Sequence, residues 1–301
     1  MARQDPVLYI VEPGFAGRAW WYLRSACVAA YEDNCFGIAK GAAYSALLSI
    51  FPVLTTITAI LVQAKAEAVA NILSNWIFEV APPGTRELLK NHLVSHGQRP
   101  VTLLVVAALL SLWAASGVML SLMEGFQAAY RIPSGRPFWR QRGVAAVLVL
   151  CAALPVLGAS ALMLLGTRAE AEVVRLLGLL PAGAQFTGGV AVLGRVLRYI
   201  LAFAGIVTGT ALLYKVGPNR PIRLVWPGAV VATILWLIGM LVFGWYVRHI
   251  ANYNVLYGGT GAVIALVVWM YVLSVIALVG CELNAQLEHR RGLRMRLVAV
   301  E

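Results

Sequence analysis

Six long apolar segments constrain this chain more than any motif does. They run Gly41–Val62, Val101–Met123, Val144–Gly166, Val196–Tyr214, Trp226–Val247 and Gly261–Leu283. A hydrocarbon core ~30 Å thick is crossed by ~20 helical residues, and long runs with few charges read as spanning helices. The expected fold is all-α, a polytopic membrane helical bundle with six transmembrane helices. Composition agrees: 60% of the residues are hydrophobic and 12% charged, where a soluble domain carries ~25% charged. The loops are too short to hide a second soluble domain. The expected organisation is an N-terminal amphipathic segment (1–36), a six-helix membrane domain (37–288) and a basic tail (289–301).

Net charge is +11. In a soluble protein this would suggest nucleic acid. Here no basic run is interleaved with aromatics on an expected soluble surface, so nucleic acid is not expected as a partner. Basic residues instead sort by loop. One set holds the N-terminal stretch with Lys40, the 131–143 loop with its four arginines, the 214–225 loop and the tail; it carries fifteen Lys and Arg. The alternate loops (63–100, 167–195 and 248–260) carry eight. The positive-inside rule then puts both termini in the cytoplasm, and anionic headgroups add to the attraction. Cys27, Cys35, Cys151 and Cys281 show neither a C-x-x-C pair nor zinc spacing. In that topology they are expected as small buried apolar residues. The polar start, Met1-Ala-Arg-Gln-Asp-Pro, shows no cleavable signal. The first span is expected to act as an uncleaved targeting signal.

Two segments outside the spans have helical periodicity. In Phe15–Phe36, Trp20, Trp21, Leu23, Cys27 and Val28 can share one side. Such a helix lies in the headgroup layer or packs on the bundle. In the 63–100 loop, Val69, Ile72, Leu73, Trp76 and Ile77 follow helical spacing, Pro82-Pro83-Gly84 stops it, and Thr85 can cap a second helix. An outer helical hairpin is expected, capping an opening or covering apolar surface.

Departures from a plain hydrophobic bundle carry the functional signal. Pro52 sits within the first span and frees the Leu48 carbonyl; Ser49, Thr55 and Thr56 are near enough to help satisfy the broken backbone. A broken helix at depth can line a site, or it is a packing kink. Glu124 lies near the end of the second span, in a helix that also carries Ser116, Gly117, Ser121 and Gln127. An ionisable group at that depth is a functional hypothesis, and Lys40 or the Lys40–Glu282 layer offers a structural ion pair instead. Glu124 is expected to face the bundle interior. Arg195 and Arg198 share a face where the fourth span begins. They snorkel or bind a lipid phosphate. Gly258, Gly259 and Gly261 precede or open the sixth span. They form a tight turn or an anion-binding helix start, without the Lys-Ser/Thr of a P-loop. His92, His96, His249 and His289 make no H-E-x-x-H, and no G-x-S-x-G occurs. No enzyme activity, cofactor or metal is expected.

Six ordered blocks resemble the YihY/BrkB family of bacterial inner-membrane proteins. They are Gly41-Ala-Ala-Tyr-Ser-Ala-Leu-Leu-Ser-Ile-Phe-Pro, Trp113-Ala-Ala-Ser-Gly, Tyr130-Arg-Ile-Pro with Arg136-Pro-Phe-Trp-Arg-Gln-Arg, Tyr214-Lys-Val-Gly-Pro-Asn with Trp226-Pro-Gly-Ala, Tyr257-Gly-Gly-Thr-Gly-Ala, and Gly280-Cys-Glu-Leu-Asn-Ala. They span most of residues 38–288. The family pattern often has serine where Gly259 stands. The resemblance implies a multi-pass protein of the bacterial inner membrane, an association with envelope lipids, and an old ribonuclease BN label. A metal-dependent nuclease of that type needs a histidine-rich site, which this sequence lacks.

The expectation is transport or lipid handling in the envelope without an ATPase. The alternative is a non-catalytic membrane scaffold that docks an envelope partner through the 63–100 hairpin. Candidate pathway residues are Lys40, Tyr44, Ser49, Pro52, Trp113, Ser116, Glu124, Tyr257, Gly258, Gly259 and Glu282; Arg195 and Arg198 are candidate headgroup ligands. Membrane lipids are the expected partners, with an outer-face envelope protein and a homo-oligomer as further possibilities.

Overall fold

The computed structural model describes residues 15–63, 101–132, 136–176, 189–249 and 259–298. The 63–100 hairpin beyond Gln63, Tyr257 and Gly258 lie outside the described residues. The described part is all-helical: α1 (Phe15–Glu32), α2 (Cys35–Gln63), α3 (Val101–Ala129), α4 (Phe138–Leu176), α5 (Gly189–Val216), α6 (Trp226–His249) and α7 (Gly259–Val298). Six of these, α2 to α7, are long and apolar enough to cross a membrane. Their spans overlap the six apolar segments one for one, as expected of runs that must satisfy every backbone group internally.

Small residues set the closest packing. α2 buries Ala39, Ala42, Ala43 and Ala46. Gly41 faces Ser121 of α3, and Gly117 of α3 faces Ser45 of α2. Glycine, alanine and serine at a helix interface allow such contact where no hydrophobic drive exists between helices in lipid. α7 is the hub and touches α1, α2, α3 and α6. α4 meets α5 where Pro155 fills the space left by Gly209, whose Cβ would sit 2.6 Å from the proline Cγ. Outward faces carry Leu109, Leu110, Leu150, Leu154, Leu241 and similar exposed side chains, as a lipid-facing surface requires.

Three elements differ from the sequence reading. α2 starts at Cys35, well before Gly41, after a turn in which Asn34 takes a left-handed φ of 56°. Asparagine tolerates this conformation better than most residues. α7 does not stop at the expected tail but runs helically to Val298, so Arg290, Arg291, Arg294 and Arg296 ride on a helix. α2 also passes through Pro52 unbroken. The neighbouring hydroxyls do not cover the Leu48 carbonyl: Ser49 donates to Ala46 O at 2.8 Å, Thr55 to Phe51 O and Thr56 to Pro52 O, both at 2.9 Å.

α1 packs on the bundle, one of the two readings of the N-terminal segment. One side packs on the extension of α7. The Ser25 hydroxyl donates to the Gln286 carboxamide, Gln286 Nε2 donates to Ser25 O at 2.9 Å, and the Arg290 guanidinium lies 4.2 Å from the Trp21 ring centre. Trp20, Val28 and Tyr31 on other sides are exposed. The α1–α2 turn, the end of α3, the end of α5 and the α7 extension thus gather at one end of the bundle. This is the end where Arg131, Arg136, Lys215, Arg220 and Arg290 cluster, and it is called the basic end below.

Candidate functional site

The buried core of the described residues holds one carboxyl group and no basic side chain: Glu282 of α7 is 1% exposed. The other buried polar side chains are alcohols and one amide, and they have backbone partners. Thr210, Thr233 and Ser274 donate to carbonyls one turn back. Glu282 instead meets side chains from the α1–α2 turn. Cys35 Sγ donates to its Oε1 at 3.7 Å, and the Asp33 carboxyl is close enough to act on it electrostatically. Asp33 is faced on its other side by Arg131, whose Nε lies 3.9 Å from Oδ1.

Arg131 reaches that point through a strained cap. α3 ends with Arg131 N donating to Ala128 O and Ile132 N to Gln127 O, and Arg131 has φ 51°. This is the hydrogen-bond pattern in which glycine is usual. A non-glycine residue held there marks a position fixed by its surroundings. Beside it the Tyr130 hydroxyl, Gln127 Nε2 and Glu288 Oε2 are buried without a protein partner. Burial, reinforced by Cys281 and Glu288, pushes the Tyr130 phenol well above its ordinary value, so it stays protonated.

A second set of contacts fixes the height of Glu282. Gly228 of α6 and Gly280 of α7 touch backbone to backbone, with no room for a Cβ on either. Gly228 N donates to Asn284 Oδ1 at 2.7 Å, and Asn284 Nδ2 to Val225 O at 3.0 Å. The Tyr214 hydroxyl crosses from α5 to Ala277 O at 2.7 Å, and its ring meets Phe126 of α3 edge-on. Arg136 donates to Val216 O at 2.8 Å and to Gly217 O, capping α5. Four helices are therefore locked around the segment that presents Glu282. Two of the sequence blocks, those at 214–229 and 280–285, meet here.

The remaining candidates scatter. Glu124 is exposed, on the same azimuth of α3 as the exposed Val106 and Trp113, while the buried face runs through Met119, Leu122 and Phe126. The expectation that Glu124 faces the interior is corrected. Its helical phase, set by the bulkier apolar residues, turns it outward. Lys40 is exposed too and pairs with neither Glu124 nor Glu282; among the described residues the hydrogen-bond partner of Glu282 is Cys35. Tyr44 is exposed, Ser49 and Pro52 are half-buried, and Ser116 is buried with its hydroxyl on Trp113 O at 2.7 Å. Gly259 is the first residue of α7. Arg195 is exposed and Arg198 half-buried, near the start of α5. Sequence reasoning passed over Asp33, Cys35, Tyr130, Arg131 and Asn284. The available signal was Asn284, an amide inside an apolar span one turn from the basic tail.

Comparison with known proteins agrees with this architecture. The model of the family described as virulence factor BrkB matches residues 26–298. A Bacillus subtilis (strain 168) protein named ribonuclease-like protein YfkH is 29% identical over 262 residues, covering 83% of this chain and 89% of that protein. A UPF0761 membrane protein of Alcanivorax borkumensis is 29% identical, covering 86% of this chain and 59% of its own length. One from Legionella pneumophila (strain Corby) is 25% identical, covering 84% and 58%. The chain thus spans under three fifths of these two UPF0761 relatives. No solved structure matches.

Proposed function

The chain belongs to the BrkB family of multi-pass membrane proteins, and from that premise we propose that it is a carrier in the bacterial inner membrane. Its basic end and both termini face the cytoplasm, as the positive-inside rule requires. It moves or hands over an amphipathic envelope substrate, of which a lipid is the leading class. It has no ATPase or hydrolytic centre of its own, so the driving force is an ion gradient or a partner. The ribonuclease-like name of the Bacillus subtilis relative is not carried over, because the sequence offers no histidine-rich metal site.

The observation that supports this reading is the buried Glu282 carboxyl, with the half-buried Asp33 of the α1–α2 turn acting on it. An ionisable group held inside a membrane bundle is costly and marks proton or ion pathways. Here the pair has what a proton-coupled carrier needs. One acid is locked in a rigid four-helix clamp, and the other sits on the α1–α2 turn, free to separate from it if that turn moves. Alternating access would open the turn, expose Asp33 and release the proton. A docking role for the 63–100 segment rests on sequence pattern alone.

The test is reconstitution of the full chain in proteoliposomes with a fluorescent phospholipid probe and an imposed pH gradient. Glu282→Gln keeps shape and hydrogen-bonding capacity but holds no exchangeable charge. The expected result is loss of gradient-dependent probe movement with unfolding behaviour unchanged. Equal movement in wild type and Glu282→Gln would remove the proton-coupling argument.

A further inference from the structure

Arg142 presents a permanent cation in an unexpected place. It leaves α4 about one turn inside the third span, Phe138–Ser160. Arginine stays charged in proteins. A snorkelling side chain would carry that charge out to the headgroups. This one lies against α3: Nη2 donates to the Trp113 carbonyl oxygen at 2.6 Å, and the guanidinium carbon is 4.6 Å from the Trp113 ring centre. Trp113 is more than two turns from either end of the second span, Leu104–Ala129. It is 66% exposed, on a lateral face with Val106, Leu109 and Leu110. The charge therefore sits at hydrocarbon depth on the outer wall of the bundle.

Nothing in the described protein neutralises it. No carboxylate among the described residues lies within ion-pair distance of Arg142, and its Nε is buried without an acceptor. Nor is the contact needed to satisfy the backbone, since the Trp113 carbonyl already accepts from the Ser116 hydroxyl at 2.7 Å. The next residue, Gly143, is exposed, with nothing within 4 Å of where a Cβ would stand, so the helix surface beside residue 142 is open. Phe138 and Trp139, exposed just before it, are the side chains that settle at the headgroup level.

We propose that Arg142, backed by the face of Trp113, is a lateral binding site for the phosphate of an anionic phospholipid from the leaflet at the basic end. A guanidinium forks onto phosphate oxygens with two parallel hydrogen bonds, and with one Nη2 hydrogen on Trp113 O the end-on pair, Nη1 with the remaining N–H of Nη2, is such a fork. The indole packs against the cation on its other side and keeps it from swinging out to solvent. The Trp113–Arg142 pair joins two of the family-like blocks, 113–117 and 130–142, in one site. It stands independently of the carrier reading, because a resident lipid would occupy it as readily as a transported one.

The experiment is native mass spectrometry of the delipidated full chain with added phosphatidylglycerol, phosphatidylcholine or inorganic phosphate. Wild type is expected to retain phosphatidylglycerol over phosphatidylcholine, and excess inorganic phosphate is expected not to displace it. Arg142→Gln should weaken phosphatidylglycerol retention roughly tenfold or more, the loss expected for one charged hydrogen-bond pair. Arg140→Gln, an exposed neighbour, should leave it unchanged. Arg142→Lys keeps the charge without the fork and should fall between, which covers the case in which Arg142→Gln fails to fold. Equal retention of the two lipids by wild type, displacement by inorganic phosphate, or undiminished binding in the Arg142 variants would each overturn the site.

Discussion

Gly280→Ala tests the clamp that holds Glu282 in place. A Cβ at Gly280 would lie 2.5 Å from the Tyr214 hydroxyl oxygen and 2.9 Å from both Ala232 Cβ and Gly228 O, where ordinary contact is 3.4–4 Å. Two of those neighbours, the Gly228 backbone and the Ala232 methyl, cannot swing aside. Either α6 and α7 separate by several tenths of an ångström, or Tyr214 gives way and abandons Ala277 O. Overpacking of this kind costs about 1–3 kcal/mol. Leaving the buried Tyr214 hydroxyl unpaired costs about 1–3 kcal/mol. The two routes are partial alternatives, so the expected loss is about 2–4 kcal/mol. The assay is equilibrium unfolding in mixed micelles of denaturing and mild detergent. A second variant identifies the route. Tyr214→Phe removes the closest atom, so in Gly280→Ala/Tyr214→Phe the second change should cost less than it does alone, with coupling of about 0.5–3 kcal/mol. A Gly280→Ala protein as stable as wild type, or strict additivity in the double variant, would refute the argument.

Other perturbations follow from single contacts. Asn284→Ala strands the buried Gly228 N–H and leaves the Val225 carbonyl with Ala229 N as its remaining donor, and should cost about 1–3 kcal/mol by the same unfolding assay. Tyr130→Phe removes a buried hydroxyl that has no protein partner, so stability should hold or rise by up to about 1–3 kcal/mol; a clear loss would show that the hydroxyl has a bound partner. Because α2 continues through Pro52, Pro52→Ala should gain up to about 3 kcal/mol by restoring a backbone hydrogen bond, with probe movement in proteoliposomes unchanged; lost movement would give the proline a role in the pathway.

The spans were legible because the bilayer imposes a length and an apolar character that survive without any neighbour in view. Which face of each span is buried was not. In a helix apolar all round, hydropathy has almost no direction, and the phase is set by which residues are small enough to let a neighbour approach. For α3 the sequence drew attention to the charge at Glu124, but packing of Met119, Leu122 and Phe126 decides the rotation and turns Glu124 outward. Glu282 differs because its neighbours differ: Gly280, Cys281 and Asn284 present small or backbone-bonding groups to α6 and α2. The small residues drew the other helices to that face of α7, and the carboxyl was carried inside with them.

The unread half of the site was the α1–α2 turn. Asp33 and Asn34 look like loop residues, and nothing in their spacing predicts a buried acid partner. Their placement depends on α1 folding back onto the α7 extension through Ser25, Gln286, Trp21 and Arg290. This extension lies beyond the apolar run and was read as a tail. The consequence is mechanical. Glu282 is anchored by α5, α6 and α7, whereas Asp33 is anchored by α1 and by the strained Arg131 cap. Any event that loosens α1 from α7 moves one acid and leaves the other fixed. Arg290→Gln removes the cation from the Trp21 face while leaving Glu282 untouched, so it separates the two parts. If the α1 strap controls the pair, Arg290→Gln should increase hydrogen exchange at the α1–α2 turn while the α6–α7 clamp keeps its protection. Equal exchange in both segments, or none gained at the turn, would mean that α1 does not govern access to Glu282.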